Sequence, residues 1–162
     1  MTETVEDIPD GDAVSRLVDF PRMYEEARGL IWDNIFQFPR GECESVVWAR
    51  YAPTPADVHR LGCEREAAKR QSNPEMRYAY AGFISSTAGA IRGVRTARGH
   101  GFTMNHAPDE GRHHAEVCYA PAGQNGITDL KKADKVELRA ALRKVFDELV
   151  SHSCVAPAGL QP

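Results

Sequence analysis

G-F-T-M-N-H-A-P-D-E-G-R-H-H-A-E-V-C-Y-A, residues 101–120, reads as two short strands around a turn. Apolar and polar side chains alternate on either side of Pro108-Asp109-Glu110-Gly111, whose proline, acids and closing glycine suit a tight reversal. With Ala107 opposite Arg112, His106 meets His113, Asn105 meets His114, Met104 meets Ala115 and Thr103 meets Glu116. Cross-strand partners share a sheet face. One face then carries Phe102, Met104, Ala115, Val117 and Tyr119, with His106 and His113 at its open end; the other carries Thr103, Asn105, His114, Glu116 and Cys118. Four of the six histidines, His100, His106, His113 and His114, fall in this stretch or just before it, so the hairpin concentrates the titratable side chains of the chain.

Outward from the hairpin, the patterning predicts one further strand and four helices. S-V-V-W-A-R-Y, residues 45–51, is β-rich and bounded by Gly41 and Pro53. From Ala13 to Phe38, Leu17, Phe20, Tyr24, Ala27, Ile31, Ile35 and Phe38 recur at three- and four-residue steps, which predicts a helix kinked or restarted at Pro21 and ended by Pro39 and Gly41. Thr54, Pro55 and Asp57 supply a hydroxyl cap, an N-terminal proline and a first-turn acid for a helix to about Arg70.

Asn73-Pro74-Glu75 opens a third helix, in which Met76, Tyr80, Phe83, Ile84, Thr87, Ile91 and Val94 keep helical period to a stop at Gly99. Gly82, Ser85, Ser86, Gly89 and Gly93 form a small-residue arc on its other side, suited to close approach by a neighbouring element or, alternatively, by a ligand or partner. After a loop containing Gln124-Asn125-Gly126, Asp134 and Glu137 begin a last helix, with Leu138, Ala141, Leu142, Val145, Phe146, Leu149 and Val150 along one stripe. The fold class expected is α+β: a small antiparallel sheet, the hairpin plus one further strand, covered by about four α-helices.

A chain of 162 residues, 42% hydrophobic and 27% charged, has the composition of one soluble domain with a single core. The net charge of −3 is uneven, because Glu3, Glu6, Asp7, Asp10 and Asp12 all precede Ala13. The expected organisation is a flexible acidic lead-in at 1–12, a domain at 13–152 and a frayed tail at 153–162. No basic stripe of the kind that dedicated nucleic-acid binders carry is present. Cys43, Cys63, Cys118 and Cys154 lie far apart with no C-x-x-C, and the start of the chain has acids where a secretory signal needs a basic, then apolar, run. Free thiols and a cytoplasmic location are therefore expected. No apolar run approaches the roughly 18–20 residues of a membrane span.

His114-Ala115-Glu116 matches the H-x-E of zinc deaminases, but the P-C-x-x-C that completes that signature is missing. Two H-x-x-x-C pairs, His59 with Cys63 and His114 with Cys118, have the ligand types of a tetrahedral zinc site and are the candidate metal ligands. His106 and His113, near His100 and Asp109, offer a pair of imidazoles, the side-chain type suited to general-base or metal chemistry. Arg92, Arg95 and Arg98, at the expected end of the third helix, and Arg112 across the hairpin are candidate anion or nucleic-acid contacts, although cations also complement a helix C-terminus.

The expectation that unites these features is an accessory or regulatory protein that meets a protein partner through Asn105, His106, Arg112, His113, His114 and Glu116, with no cofactor. Its alternative is a metal-assisted hydrolase or nuclease that uses His106, His113, His114 and Glu116, with zinc as the metal.

Overall fold

The computed structural model describes residues 4–20, 23–25, 30–31, 35–38, 43–75, 77–120 and 130–154. Its frame is antiparallel: β1 (Ala13–Phe20), β4 (Cys43–Trp48), β5 (Ala79–Thr87), β6 (Gly101–His106), β7 (His114–Ala120) and β8 (Val150–Ser151) form one sheet in the order β6-β7-β4-β1-β5-β8. β2 (Tyr24–Glu25) and β3 (Leu30–Ile31) pair separately. The helices are α1 (Pro55–Ser72), a short α2 (Ala88–Arg92) and α3 (Lys132–Lys144). Among the described residues a six-stranded sheet with three helices thus replaces the small sheet under four helices that the patterning predicts.

Two predicted helices account for the difference. Val14 and Val18 of β1 face the larger core with Ile84 of β5 and Ile91 of α2, while Leu17 faces a second cluster with Tyr80, Phe83 and Val58 of α1. Both faces of these central strands are covered, so apolar residues do not alternate cleanly with polar ones. A register shift between Val18 and Asp19 adds to this, since Val18 pairs with Gly82 and Asp19 with Tyr80, leaving Ala81 as the extra residue of a bulge. In β5 the bulge sets Tyr80 and Phe83 on the same face three residues apart, a spacing that imitates a helix. The small residues do admit a close neighbour, as the arc implied, but from a strand: a Cβ at Gly82 would lie 2.1 Å from the Val150 carbonyl oxygen of β8.

α1 follows its end signals, with the Thr54 hydroxyl accepting from the Asp57 amide at 3.2 Å and the Asp57 carboxylate accepting from the Thr54 amide at 3.0 Å. α3 is shorter than expected. Asp134 sits inside its first turn, where its carboxylate accepts from the Lys131 amide at 2.9 Å, and the end of the apolar stripe leaves the helix to form β8. Leu138 and Leu142 of α3, with Ala88 and Ile91 of α2, pack on the face opposite α1.

The 45–51 strand begins at Cys43, ends at Trp48 and joins the hairpin, lying between β7 and β1. Within the hairpin, Asn105 pairs with Glu116 and His106 with Ala115, two residues out of step with the expected register. A 3-10 turn at Pro108–Glu110 and the bond from the His114 amide to the Gly111 carbonyl, 2.9 Å, lengthen the connection. An even slip preserves the face of every side chain in the strands.

The acid-rich lead-in packs on the body from Glu6 onward instead of standing free. Ile8 is buried, the Asp12 carboxylate accepts from the Trp48 indole N–H at 2.8 Å, and the Asp10 carboxylate holds Arg92 at 2.7 Å. Asp12 thus serves a core side chain and Asp10 one at the surface. The four cysteines form two disulfides, Cys43–Cys118 between β4 and β7 and Cys63–Cys154 between α1 and the segment after β8, which overturns the expectation of free thiols and removes the support it lent to a cytoplasmic location. Among the described residues no helix is long and apolar enough to cross a membrane. The breakers Pro21, Pro39 and Gly41, the position of Met76, the loop at 124–126 and the tail from 155 lie outside the described residues.

Candidate functional site

β1 and β4 pair at Val14 with Trp48 and Ser15 with Val47, beside a bond from the Ala49 amide to the Ala13 carbonyl at 3.0 Å, and the register goes no further towards Phe20. Arg16 bridges the gap. Its guanidinium donates to the Ser45 carbonyl at 3.0 Å and to the Ile35 carbonyl at 3.1 and 3.3 Å, and pairs with the Glu44 carboxylate at 3.0 Å. Glu44 in turn accepts from the amides of Gln37 and Phe38, both at 2.9 Å. This buried cluster forms one wall of a groove of about 490 Å³ between the β4–β7 part of the sheet and α1.

The groove has an apolar floor of Leu17, Val47 and Leu61, with Ser45, Glu110, His113 and His114 on the hairpin side and Glu64 and Arg65 on the α1 side. Arg65 is held by the buried Asp19 carboxylate at 3.6 Å and Glu64 by Arg60 at 3.2 Å. Apolar surface with a few convergent polar groups is the usual make-up of a ligand site.

His114, the first residue of β7, is fixed by its main-chain neighbours. Its Nδ1 lies 2.9 Å from the Ala107 carbonyl, an acceptor, so this nitrogen carries the proton. In the neutral ring Nε2 is therefore the acceptor, 3.0 Å from the Ser45 hydroxyl, which donates to it. Glu110 approaches the same nitrogen at 3.3 Å, so a protonated ring gains a carboxylate partner instead. His113 precedes the strand and lines the same groove, against Gly111, where an added Cβ would meet its ring at 2.8 Å. Burial, then the neighbouring His114 charge, hold the His113 pKa below the ordinary histidine value.

The remaining expected site residues scatter. His106 faces the core on the opposite side of the sheet, its ring 5.0 Å from that of Trp48; Nδ1 accepts from the Glu6 amide at 3.0 Å, and Nε2 donates to the Arg112 carbonyl at 2.8 Å. Both nitrogens are thus engaged in holding the lead-in and the turn. Asn105 and Glu116 share His114's face but sit beside the Cys43–Cys118 disulfide, where the Asn105 amide is 3.7 Å from the Cys118 sulfur. The structure therefore does not bring His106, His113, His114 and Glu116 together.

Nor does it join His59 and Cys63 to His114 and Cys118, because each cysteine is bonded elsewhere and His59 meets Tyr80 and His152. Thiolates ligate metals and a cystine has none, so the disulfides withdraw the sulfur ligands of that set. His100 is fully buried, with Nδ1 3.8 Å from the Asp134 carboxylate.

The arginines do not form one helical edge, since α2 ends at Arg92. Arg92 donates to the Ile8 carbonyl and Asp10, Arg95 to the carbonyls of Arg92 and Val94, and Arg98 to Asp134, while Arg112 lies over the Tyr51 ring. Each is engaged within the chain. Of the groove residues, His113 and His114 were visible in the sequence, whereas Ser45, Glu110, Glu64 and Arg65 carry no local signal and converge only through the β4–β7 pairing and the packing of α1. Compared with models of known protein families, with curated proteins and with solved structures, the chain matches none.

Proposed function

We propose that this protein is a binding module whose partner protein inserts a short polypeptide segment into the groove between the β4–β7 face and α1. The observation that carries this reading is the convergence of Ser45, Glu110, His113 and His114 around an apolar floor. A peptide supplies what that arrangement takes: an apolar side chain for Leu17, Val47 and Leu61, and amide donors and carbonyl acceptors for the hydroxyl, imidazole and carboxylate groups. The rim carries both signs of charge, which favours a mixed polypeptide over a polyanion, and Arg92, Arg95 and Arg98, which lie outside the groove, are already bound within the chain. Of the surface expected from the sequence, the reading retains His113 and His114 and drops Asn105, Arg112 and Glu116, which do not line the groove, and His106, which serves the core.

A photo-crosslinking amino acid in place of Leu61 tests it. Crosslinking in cells should trap a discrete partner, and the same residue at Val136, exposed on α3, should not. Equal yields from both positions, or trapping that survives His113→Ala with His114→Ala, would remove the groove from the binding surface.

The Ser45–His114 hydrogen bond favours a second reading, acyl transfer, in which His114 Nε2 takes the serine proton as the hydroxyl attacks. Labelling of Ser45 by a fluorophosphonate, lost in His114→Ala, would establish it; an unlabelled wild-type chain would leave peptide binding alone.

A further inference from the structure

Two glycines bring three possible metal ligands to one place, with a fourth, an imidazole, stacked against them. Gly62 of α1 lies so close to β5 that a Cβ there would sit 2.4 Å from the Tyr80 ring, which seats the helix turn bearing His59 and Cys63 on the strand. Gly82 of β5 gives the same access to β8, and the His152 amide then donates to the Ala81 carbonyl at 3.0 Å. His152 and Cys154 are thereby carried to α1. The ligand atoms of Cys63, His152 and Cys154 lie within 4.8 Å of one another, and the His59 ring stacks on that of His152 with centroids 4.1 Å apart. His59 is already oriented by Tyr80, whose hydroxyl is 2.9 Å from Nδ1, so Nε2 is the nitrogen left to face a metal.

We propose that Cys63, Cys154 and His152, with His59 as fourth ligand, form a zinc site when the Cys63–Cys154 disulfide is reduced. A thiol reductant gives two electrons and two protons to the sulfur–sulfur bond, yielding two thiols and the oxidised reductant. Zinc then displaces both thiol protons as it binds the two sulfurs. Two sulfurs and two imidazole nitrogens are a tetrahedral zinc set. Among the described residues the third ligand type grouped with the other disulfide is the Glu116 carboxylate, a poorer match to zinc's preference for sulfur and nitrogen in structural sites. The two states exchange one cross-link for another between the same elements, α1 and the segment after β8, so the fold is kept while the redox state decides whether metal is held.

The full chain, reduced without oxygen, loaded with zinc and freed of excess metal by gel filtration, should retain one zinc per chain, and the oxidised chain none. The Cys43→Ser, Cys118→Ser variant should keep the metal and the Cys63→Ser, Cys154→Ser variant should lose it. His152→Ala retains both cysteines, so its oxidised form reports on folding by its melting curve. Its reduced form should bind zinc more weakly by more than the roughly 10–100-fold typical of losing an outer-shell partner. Cobalt in the same site should give the intense thiolate charge-transfer and tetrahedral d–d bands. A reduced chain that holds no zinc, zinc retained by the Cys63→Ser, Cys154→Ser variant, or unchanged affinity in His152→Ala would each overturn the proposal.

Discussion

Arg16→Met removes the cation that closes the gap between β1 and β4. Arg16 and Glu44 are 5% and 7% exposed and 3.0 Å apart, so the Coulombic attraction is little screened and Glu44 is left charged and buried when the guanidinium goes. Breaking such a pair from one side costs about 3–5 kcal/mol. The Ser45 and Ile35 carbonyls lose donors as well, at about 1–3 kcal/mol for each that water does not reach, though the adjoining groove admits water to part of the site. A net loss of about 4 kcal/mol follows, a large fraction of the roughly 5–15 kcal/mol that holds a domain folded.

Glu44→Gln keeps the shape and an acceptor for the Gln37 and Phe38 amides but strands the guanidinium, and should cost about 3 kcal/mol. Because each single change pays for one orphaned charge, the double variant should fall short of their sum by about 1–3 kcal/mol. Urea denaturation followed by fluorescence of the buried Trp48 measures all three. Single losses below about 1 kcal/mol, the value of an exposed pair, or strict additivity would refute a buried and mutually dependent pair.

Burial and a neighbouring imidazole lower the pKa of His113, and burial followed by His152 lowers that of His59. The unfolded chain therefore takes up protons first as pH falls below about 6.5, and stability should decline from there until the folded-state values are passed. Denaturation midpoints between about pH 7 and pH 5 should show this, with a flatter profile for His59→Gln combined with His113→Gln; an unchanged slope would contradict the assignment. Gly82→Ala places a Cβ 2.1 Å from the Val150 carbonyl at a φ of +136°, and should lose about 2–3 kcal/mol in thermal denaturation and open the β8 segment to protease. Gly11→Ala, with nothing within 4 Å, should stay within about 0.5 kcal/mol, and equal losses at both sites would contradict β8 docking. Cys63→Ser with Cys154→Ser opens a link across 91 residues and should lower stability by about 2–4 kcal/mol under oxidising conditions, while a chain whose stability is indifferent to the change would place that link outside the native state.

The parts of the fold that sequence pattern reveals are those with one covered face or a marked end. The hairpin shows its alternation and its Pro108–Gly111 turn, α1 its Thr54–Asp57 cap and α3 its apolar stripe. β1 and β5 are hidden for the opposite reason: each is covered on both sides, and in β5 the bulge opposite Val18 and Asp19 sets Tyr80 and Phe83 at a helix-like spacing. The cysteine pairs are separated by 75 and 91 residues, and nothing local signals that Cys43 and Cys118 occupy partnered positions of adjacent strands. The site divides likewise. Strand parity puts His114 on the outer face and His106 on the core face, but Ser45 becomes its neighbour only once β4 pairs with β7, an arrangement set by the whole sheet.

The division of the histidines between core and groove underlies the functional proposal, and nitrogen-15 NMR of the imidazole rings tests it most directly. With Ser45→Ala, the Nε2 resonance of His114 should shift through loss of its hydroxyl donor, while both nitrogens of His106, bound to Glu6 and Arg112 behind the sheet, keep their positions. A His114 signal that ignores the substitution, or a His106 signal that moves with it, would contradict the groove.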